Sequence, residues 1–143
     1  MKIVLGGDHA GFRYKSAVTE FLKNRGYETK DVGPFSEESC DYPEFAHKVA
    51  EEIEAAHYDL GILICGSGNG VAITANKHQG VRAGLAWNEE VATLVKAHND
   101  ANVLCIPARF VSLDLALAIV VSFLNTGFEG GRHQRRVDQI RCS

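Results

Sequence analysis

The run Leu60-Gly61-Ile62-Leu63-Ile64-Cys65 constrains this chain more than any other stretch. It is apolar without interruption, the pattern of a central strand covered on both faces in a parallel sheet. Gly66, Gly68 and Gly70 then alternate with Ser67 and Asn69, and a helical pattern continues to about Lys77. A buried strand that enters a helix through glycines brings bare N–H groups to its carboxyl end, a setting suited to an anion. Cys65 stands beside those groups, where a thiol is placed to serve as base or nucleophile. The plain alternative is a connecting turn with a small buried thiol. Two nucleotide-binding motifs fail on spacing. The third glycine falls one position early for G-x-G-x-x-G, and no G-K-[ST] follows for a phosphate-binding Walker loop.

The rest of the chain alternates strands with helices. Strands are expected at Lys2–Gly6, Tyr27–Val32, Asp59–Ile64, Val81–Leu85 and Asn102–Ile106. Helices are expected from Phe12 to Asn24, after Asp41 as N-cap, after the glycine turn, from Asn88 through Ala97, and from Leu113 to Leu124. A final basic segment, Arg132 to Arg141, reads as a further helix. Right-handed βαβ units in series give a doubly wound αβα sandwich, a Rossmann-like or flavodoxin-like α/β fold. The expected strand order is 2-1-3-4-5, in one domain covering residues 1–143. Ligands in such sheets bind where the strand order reverses, here between the first and third strands. Two turns meet there, Gly7-Asp8-His9 and Cys65 to Gly70.

Composition narrows the function classes. Apolar residues make up 45% and charged residues 23% of 143 positions, as in a globular protein. The formal net charge of −3 points away from nucleic acid as a partner. No export signal precedes Gly6-Gly7-Asp8, and Leu115–Leu124 is too short to span a bilayer, so the expected location is the cytoplasm, with no membrane partner. Cys40, Cys65, Cys105 and Cys142 form no C-x-x-C pair, and the six histidines lack H-E-x-x-H spacing. Free thiols and no metal or other cofactor are expected.

His98-Asn99-Asp100-Ala101-Asn102 is a polar turn before the fifth strand. Topology sets His98 at the opposite end of its own sheet from Cys65. A catalytic His98 would therefore serve a site in another subunit. Arg132 and Arg136 lie four apart, on one helical face, and Arg109 follows the fifth strand. Paired guanidinium groups suit a phosphate.

Taken together, these motifs resemble the family of ribose-5-phosphate isomerase B, which includes galactose-6-phosphate isomerase subunits. The resemblance rests on Gly7-Asp8-His9-Ala10-Gly11, Cys40-Asp41-Tyr42-Pro43, Cys65-Gly66-Ser67-Gly68-Asn69-Gly70, Ala75-Asn76-Lys77, His98-Asn99-Asp100-Ala101-Asn102, Gly130-Gly131-Arg132-His133 and Arg136-Val137. It implies a metal-free aldose–ketose isomerase of the pentose phosphate pathway that interconverts ribose 5-phosphate and ribulose 5-phosphate. It also implies a homodimer or dimer of dimers whose active site is shared between subunits. Cys65 would then remove the proton beside the carbonyl, with Ser67 assisting. The N–H groups of Gly66, Ser67, Gly68, Asn69 and Gly70 would hold the enediolate, and His98 would open the furanose ring. Asp8, His9 and Asn99 would bind sugar hydroxyls, with Tyr42 near them, and Arg109, Arg132 and Arg136 would bind the phosphate. One branch of the family has glycine for the cysteine and uses a glutamate after the glycine turn. Val71 to Ala75 contains no acid, so this chain resembles the cysteine type. The alternatives are an allose or galactose 6-phosphate isomerase and a non-catalytic phosphosugar- or nucleotide-binding module.

Overall fold

The computed structural model describes residues 1–142. Five strands form one parallel sheet: β1 (Lys2–Gly7), β2 (Glu28–Asp31), β3 (Leu60–Cys65), β4 (Ala83–Leu85) and β5 (Val103–Pro107). Six helices complete the described residues: α1 (Phe12–Asn24), α2 (Tyr42–Glu54), α3 (Asn69–Ala75), α4 (Glu89–Ala97), α5 (Leu113–Leu124) and α6 (Arg132–Asp138). Local chemistry fixes several boundaries. The Asn88 side chain accepts from the Val91 N–H at 2.8 Å, and Ser112 accepts from that of Leu115 at 3.1 Å, capping α4 and α5. Asp41 holds the N-cap position of α2 but makes no side-chain cap bond.

The α/β sandwich is as expected, but the strand order is 2-1-3-5-4. The last two strands exchange places relative to the expected 2-1-3-4-5. Burial supplies the reason. Every residue of β5 is buried, whereas all three residues of β4 are only partly covered, so the more apolar strand takes the inner place beside β3. β4 also starts later than Val81. The Arg82 N–H is taken by the Asn102 side chain at 2.8 Å instead of by a neighbouring strand.

Alternation along β3 divides the core. Ile62 and Ile64 face α1, α4 and α5, with Leu22, Ile119 and Phe123 among their neighbours. Leu63 and Cys65 face α2 and α3, with Val49, Ile53, Val71 and Cys105. Cys65 is thus the last inward-facing residue of a fully buried strand.

One buried ion pair secures the end of β1. Lys15 on α1 is fully buried and donates to both Asp31 oxygens, at 2.6 and 2.7 Å, and to the Pro34 carbonyl at 2.8 Å. Asp31 also accepts from the Gly33 N–H at 2.8 Å, and the Gly7 N–H donates to the Gly33 carbonyl. The loop after β2 is thereby fastened to the turn that carries Asp8 and His9. No helix among the described residues is long and apolar enough to cross a membrane.

Candidate active site

Two loops close over the carboxyl ends of β1 and β3. Gly7 and Gly11 pack so tightly on the Ile64 carbonyl that a β-carbon at either position would overlap it. The Asp8 turn is therefore pressed against the end of β3. Asp8 is only 8% exposed, and its Oδ1 accepts from the N–H groups of Ala10 and Gly11 at 2.9 and 3.1 Å. Its second oxygen takes no protein donor among the described residues. His9 Nδ1 accepts from the Cys40 N–H at 3.2 Å, so the neutral ring carries its proton on Nε2.

Cys65 is 4% exposed. Gly68 has φ +74°, a left-handed conformation that turns its N–H back onto the Cys65 sulfur at 3.2 Å. The Asn69 N–H is likewise directed inward, to Ser67 Oγ at 3.3 Å. Two of the five N–H groups expected to face a ligand thus serve the turn itself. Those of Ser67 and Gly70 take no protein acceptor among the described residues. Gly70 leaves room for the Tyr42 ring, which a side chain at position 70 would strike. The revised strand order has a local result. Cys65 is in register with Pro107, the Arg109 N–H donates to the Gly66 carbonyl at 3.0 Å, and the Arg109 side chain lies against Gly66. A cavity of about 330 Å³ results, lined by Asp8, His9, Tyr42, Cys65, Ser67 and Arg109 among others.

Cys105, also free, is part of β5, with its side chain buried in the cluster between the sheet and α2 and α3. Burial first, and the Cys65 sulfur second, push its thiol up, so it stays protonated and inert.

His98, Asn99, Arg132 and Arg136 are not in this cavity. His98 caps the C-terminus of α4, at the amino ends of the strands. Its ring stacks on that of His133, with centroids 4.1 Å apart and planes 11° from parallel. Glu129 completes the cluster, its Oε2 lying 3.4 Å from His98 Nε2 and 3.8 Å from His133 Nε2. Burial first, then the positive charge of a protonated His98 and of Arg132, holds His133 below the ordinary imidazole range. Asn99 lines a separate cleft of about 350 Å³ with Arg82, Asn76 and Ile140. Arg132 and Arg136 are exposed on α6. His133 and Glu129 were given no role by the sequence reasoning. Their four-residue spacing across the start of a helix is the one signal that marked them as a pair.

The two groups of residues therefore lie at opposite ends of one sheet. The family model for ribose/galactose isomerase matches residues 3–140, almost the whole chain. The chain belongs to the ribose/galactose isomerase family. Ribose-5-phosphate isomerase B of Escherichia coli is 45% identical over 139 residues, covering 97% of this chain and 93% of its own length. A probable ribose-5-phosphate isomerase B of Mycoplasma genitalium is also 45% identical, over 140 residues, with 96% and 92% covered. Among solved structures, Clostridium thermocellum ribose-5-phosphate isomerase B superposes with a TM-score of 0.97 at 48% identity, covering 98% of this chain and 95% of that one. The Mycoplasma genitalium enzyme with bound ribulose-5-phosphate superposes at 0.93 and 45% identity, with 97% and 93% covered. This family membership gives the cysteine–glycine turn and the Asp8 turn a common chemical context.

Proposed function

We propose that this chain is an aldose–ketose isomerase that interconverts ribose 5-phosphate and ribulose 5-phosphate through an enediolate. The observation that carries the proposal is Cys65, with the Gly68 N–H directed onto its sulfur, in a cavity with Asp8, His9, Ser67 and Arg109. It is joined by the ribulose-5-phosphate bound to a relative of 45% identity.

Isomerisation moves one proton between adjacent carbons and needs one base plus stabilisation of a developing oxyanion. Cys65 takes the proton as a thiolate and returns it to the neighbouring carbon. The N–H donating to its sulfur gives more to an anion than to a neutral thiol. The Ser67 and Gly70 N–H groups and the Ser67 hydroxyl serve the enediolate oxygens. Asp8 accepts from sugar hydroxyls, and His9 donates from Nε2. Tyr42 walls the cavity where its ring packs on Gly70. Arg109 offers a guanidinium to the phosphate, whose binding energy holds the reacting carbons in place.

Ring opening requires an acid, and His98 fills that role only from a second copy. The functional unit in this reading is a homodimer whose active site takes Cys65 from one subunit and His98, Asn99, Arg132 and Arg136 from the other. Phe110, 75% exposed and next in sequence to Arg109, is a large apolar side chain that a second copy would cover. The reaction belongs to the pentose phosphate pathway in the cytoplasm.

The test is exchange of solvent deuterium into C2 during turnover of ribose 5-phosphate, with kcat/KM compared against allose and galactose 6-phosphates. Exchange together with a preference for the pentose supports the reading. Binding without exchange makes the chain a phosphosugar-binding module, and preference for a hexose moves the substrate.

A further inference from the structure

His98, Glu129 and His133 form a second cluster of titratable side chains, at the end of the sheet away from Cys65, and the proposed isomerisation uses only His98. The two rings are stacked face to face. One carboxylate oxygen, Glu129 Oε2, lies along the edge of the stack, within 3.4 Å of His98 Nε2 and 3.8 Å of His133 Nε2. Backbone fixes the pairing, since the Glu129 N–H donates to the Ala97 carbonyl at 3.0 Å, one residue before His98. Arg132 and Arg136 stand on the adjoining α6, yet among the described residues Glu129 makes ion-pair contact with the two imidazoles and with no arginine.

The surroundings treat the two rings differently. The His133 side chain is 13% exposed and that of His98 37%. Burial first, then neighbouring positive charge, holds His133 below the ordinary imidazole range. A neutral His133 fixes the plane of the stacked His98 ring without competing for its proton. The carboxylate is then available to accept from His98. A hydrogen bond made by one ring nitrogen decides which nitrogen does the chemistry. With Nε2–H turned to Glu129, Nδ1 is the nitrogen left for a substrate, and it has no hydrogen-bond partner among the described residues. The 3.4 Å contact is of ion-pair length, and contacts of this kind commonly shorten as the substrate complex forms.

Ring opening needs such an arrangement. It breaks the bond between C1 and the ring oxygen. The ring oxygen takes a proton, and the anomeric hydroxyl gives one up to water as its O–H electron pair becomes the second carbonyl bond. His98 supplies the first proton and recovers it from water. A carboxylate behind an imidazole holds the tautomer and orientation that such a transfer requires.

We propose that Glu129 is a positioning residue for ring opening: its carboxylate holds the Nε2–H of His98, with His133 stacked on the ring, so that Nδ1 delivers the proton to the ring oxygen. This role deepens the isomerase reading above and rests on it.

The experiment separates ring opening from proton transfer between carbons. Ribose 5-phosphate that lacks its 4-hydroxyl cannot close a furanose, so its isomerisation needs no ring-opening acid. In the full chain, Glu129→Gln keeps the shape of the side chain and removes its charge. It should lower kcat/KM for ribose 5-phosphate by about tenfold or more, a part of the roughly 10²–10⁴-fold that a positioned acid contributes. Exchange of solvent deuterium into C2 of the 4-deoxy substrate should stay within about twofold of the parent rate. His98→Ala should show the same selectivity, and adding Glu129→Gln to it should cost nothing further. Native circular dichroism is checked for each variant. Undiminished turnover of ribose 5-phosphate in Glu129→Gln overturns the role. Equal losses on both substrates overturn it as well, since they mark a structural defect. A further loss in the His98→Ala background overturns it too, because Glu129 would then act elsewhere. A parent chain that acts on neither substrate overturns the isomerase reading and this role with it, whereas an active parent with unselective variants overturns the role alone.

Discussion

The carboxyl ends of the strands and their amino ends carry different kinds of chemistry. At the carboxyl ends the proposed base is a nearly buried sulfur held by backbone, with glycines that admit no side chain. At the amino ends the groups are imidazoles and guanidiniums on helix termini, partly or fully exposed and in loose contact. The first set is rigid because the sheet builds it. The second is adjustable because side chains alone build it. In the proposed reaction the first set would supply the base, Cys65, and the second the acid for ring opening, His98. The division explains why a second copy completes the proposed reaction.

Several measurements break or sharpen this contrast. Cys65→Ala should lower kcat by about 10²–10⁴-fold while the melting temperature stays close to that of the parent. Near-normal turnover would take the base out of the carboxyl-end set. Cys65→Ala mixed with His98→Ala should regain roughly a quarter of parental activity, since half the dimers are mixed and each has one intact site. No recovery after proven subunit exchange would confine the chemistry to one end of one chain.

Lys15→Ala should cost about 3 kcal/mol in urea unfolding, the lower part of the range for a broken buried pair because Asp31 keeps some contact with water. Its effect on KM should exceed that of any substitution in α6 that leaves Arg132 and Arg136 in place, because the loop it fastens also supplies the N–H that orients His9. Gly68→Ala should cost about 1–3 kcal/mol, from the left-handed backbone and contact with Leu85. Turnover should fall as the sulfur loses its N–H donor, and an active, stable variant would show that contact to be dispensable.

The smallest effect is expected at Glu54, near the amino ends. The Gly80 N–H, then His78, hold its carboxyl below the ordinary value of 4.5. A lowered carboxyl stabilises the native state above pH 4.5, and this contribution fades as the pH falls through the native value. Glu54→Gln should therefore lower the melting temperature slightly near neutrality and merge with the parent in acid. A constant difference across pH would assign the effect to packing.

Much of this arrangement is legible in the chain. Periodicity located α1 and α5 to the residue, because Phe12–Asn24 and Leu113–Leu124 are bounded by clear breaks. The order of β4 and β5 was not legible, because right-handed crossovers permit both arrangements and the choice depends on which strand buries better. Val103-Leu104-Cys105-Ile106 is visibly more apolar than Ala83-Gly84-Leu85, and that contrast held the answer. At the site, Asp8, His9, Tyr42, Cys65 and Arg109 do share one cavity. The inward rotation of the Gly68 and Asn69 N–H groups was hidden, since glycine spacing does not state which way a backbone donor points. Glu129 and His133 meet His98 only through tertiary packing, so no short motif marks all three.

The four free cysteines occupy four depths, from exposed Cys142 through partly covered Cys40 to nearly buried Cys65 and then fully buried Cys105 in β5. A thiol reagent applied to the native chain thus meets a graded series of clocks. Cys142 reports solvent access, and Cys65 reports opening of the glycine turn. Cys105 reports separation of the sheet from α2 and α3. The chain carries its own label for telling a breathing active site from an unfolding molecule.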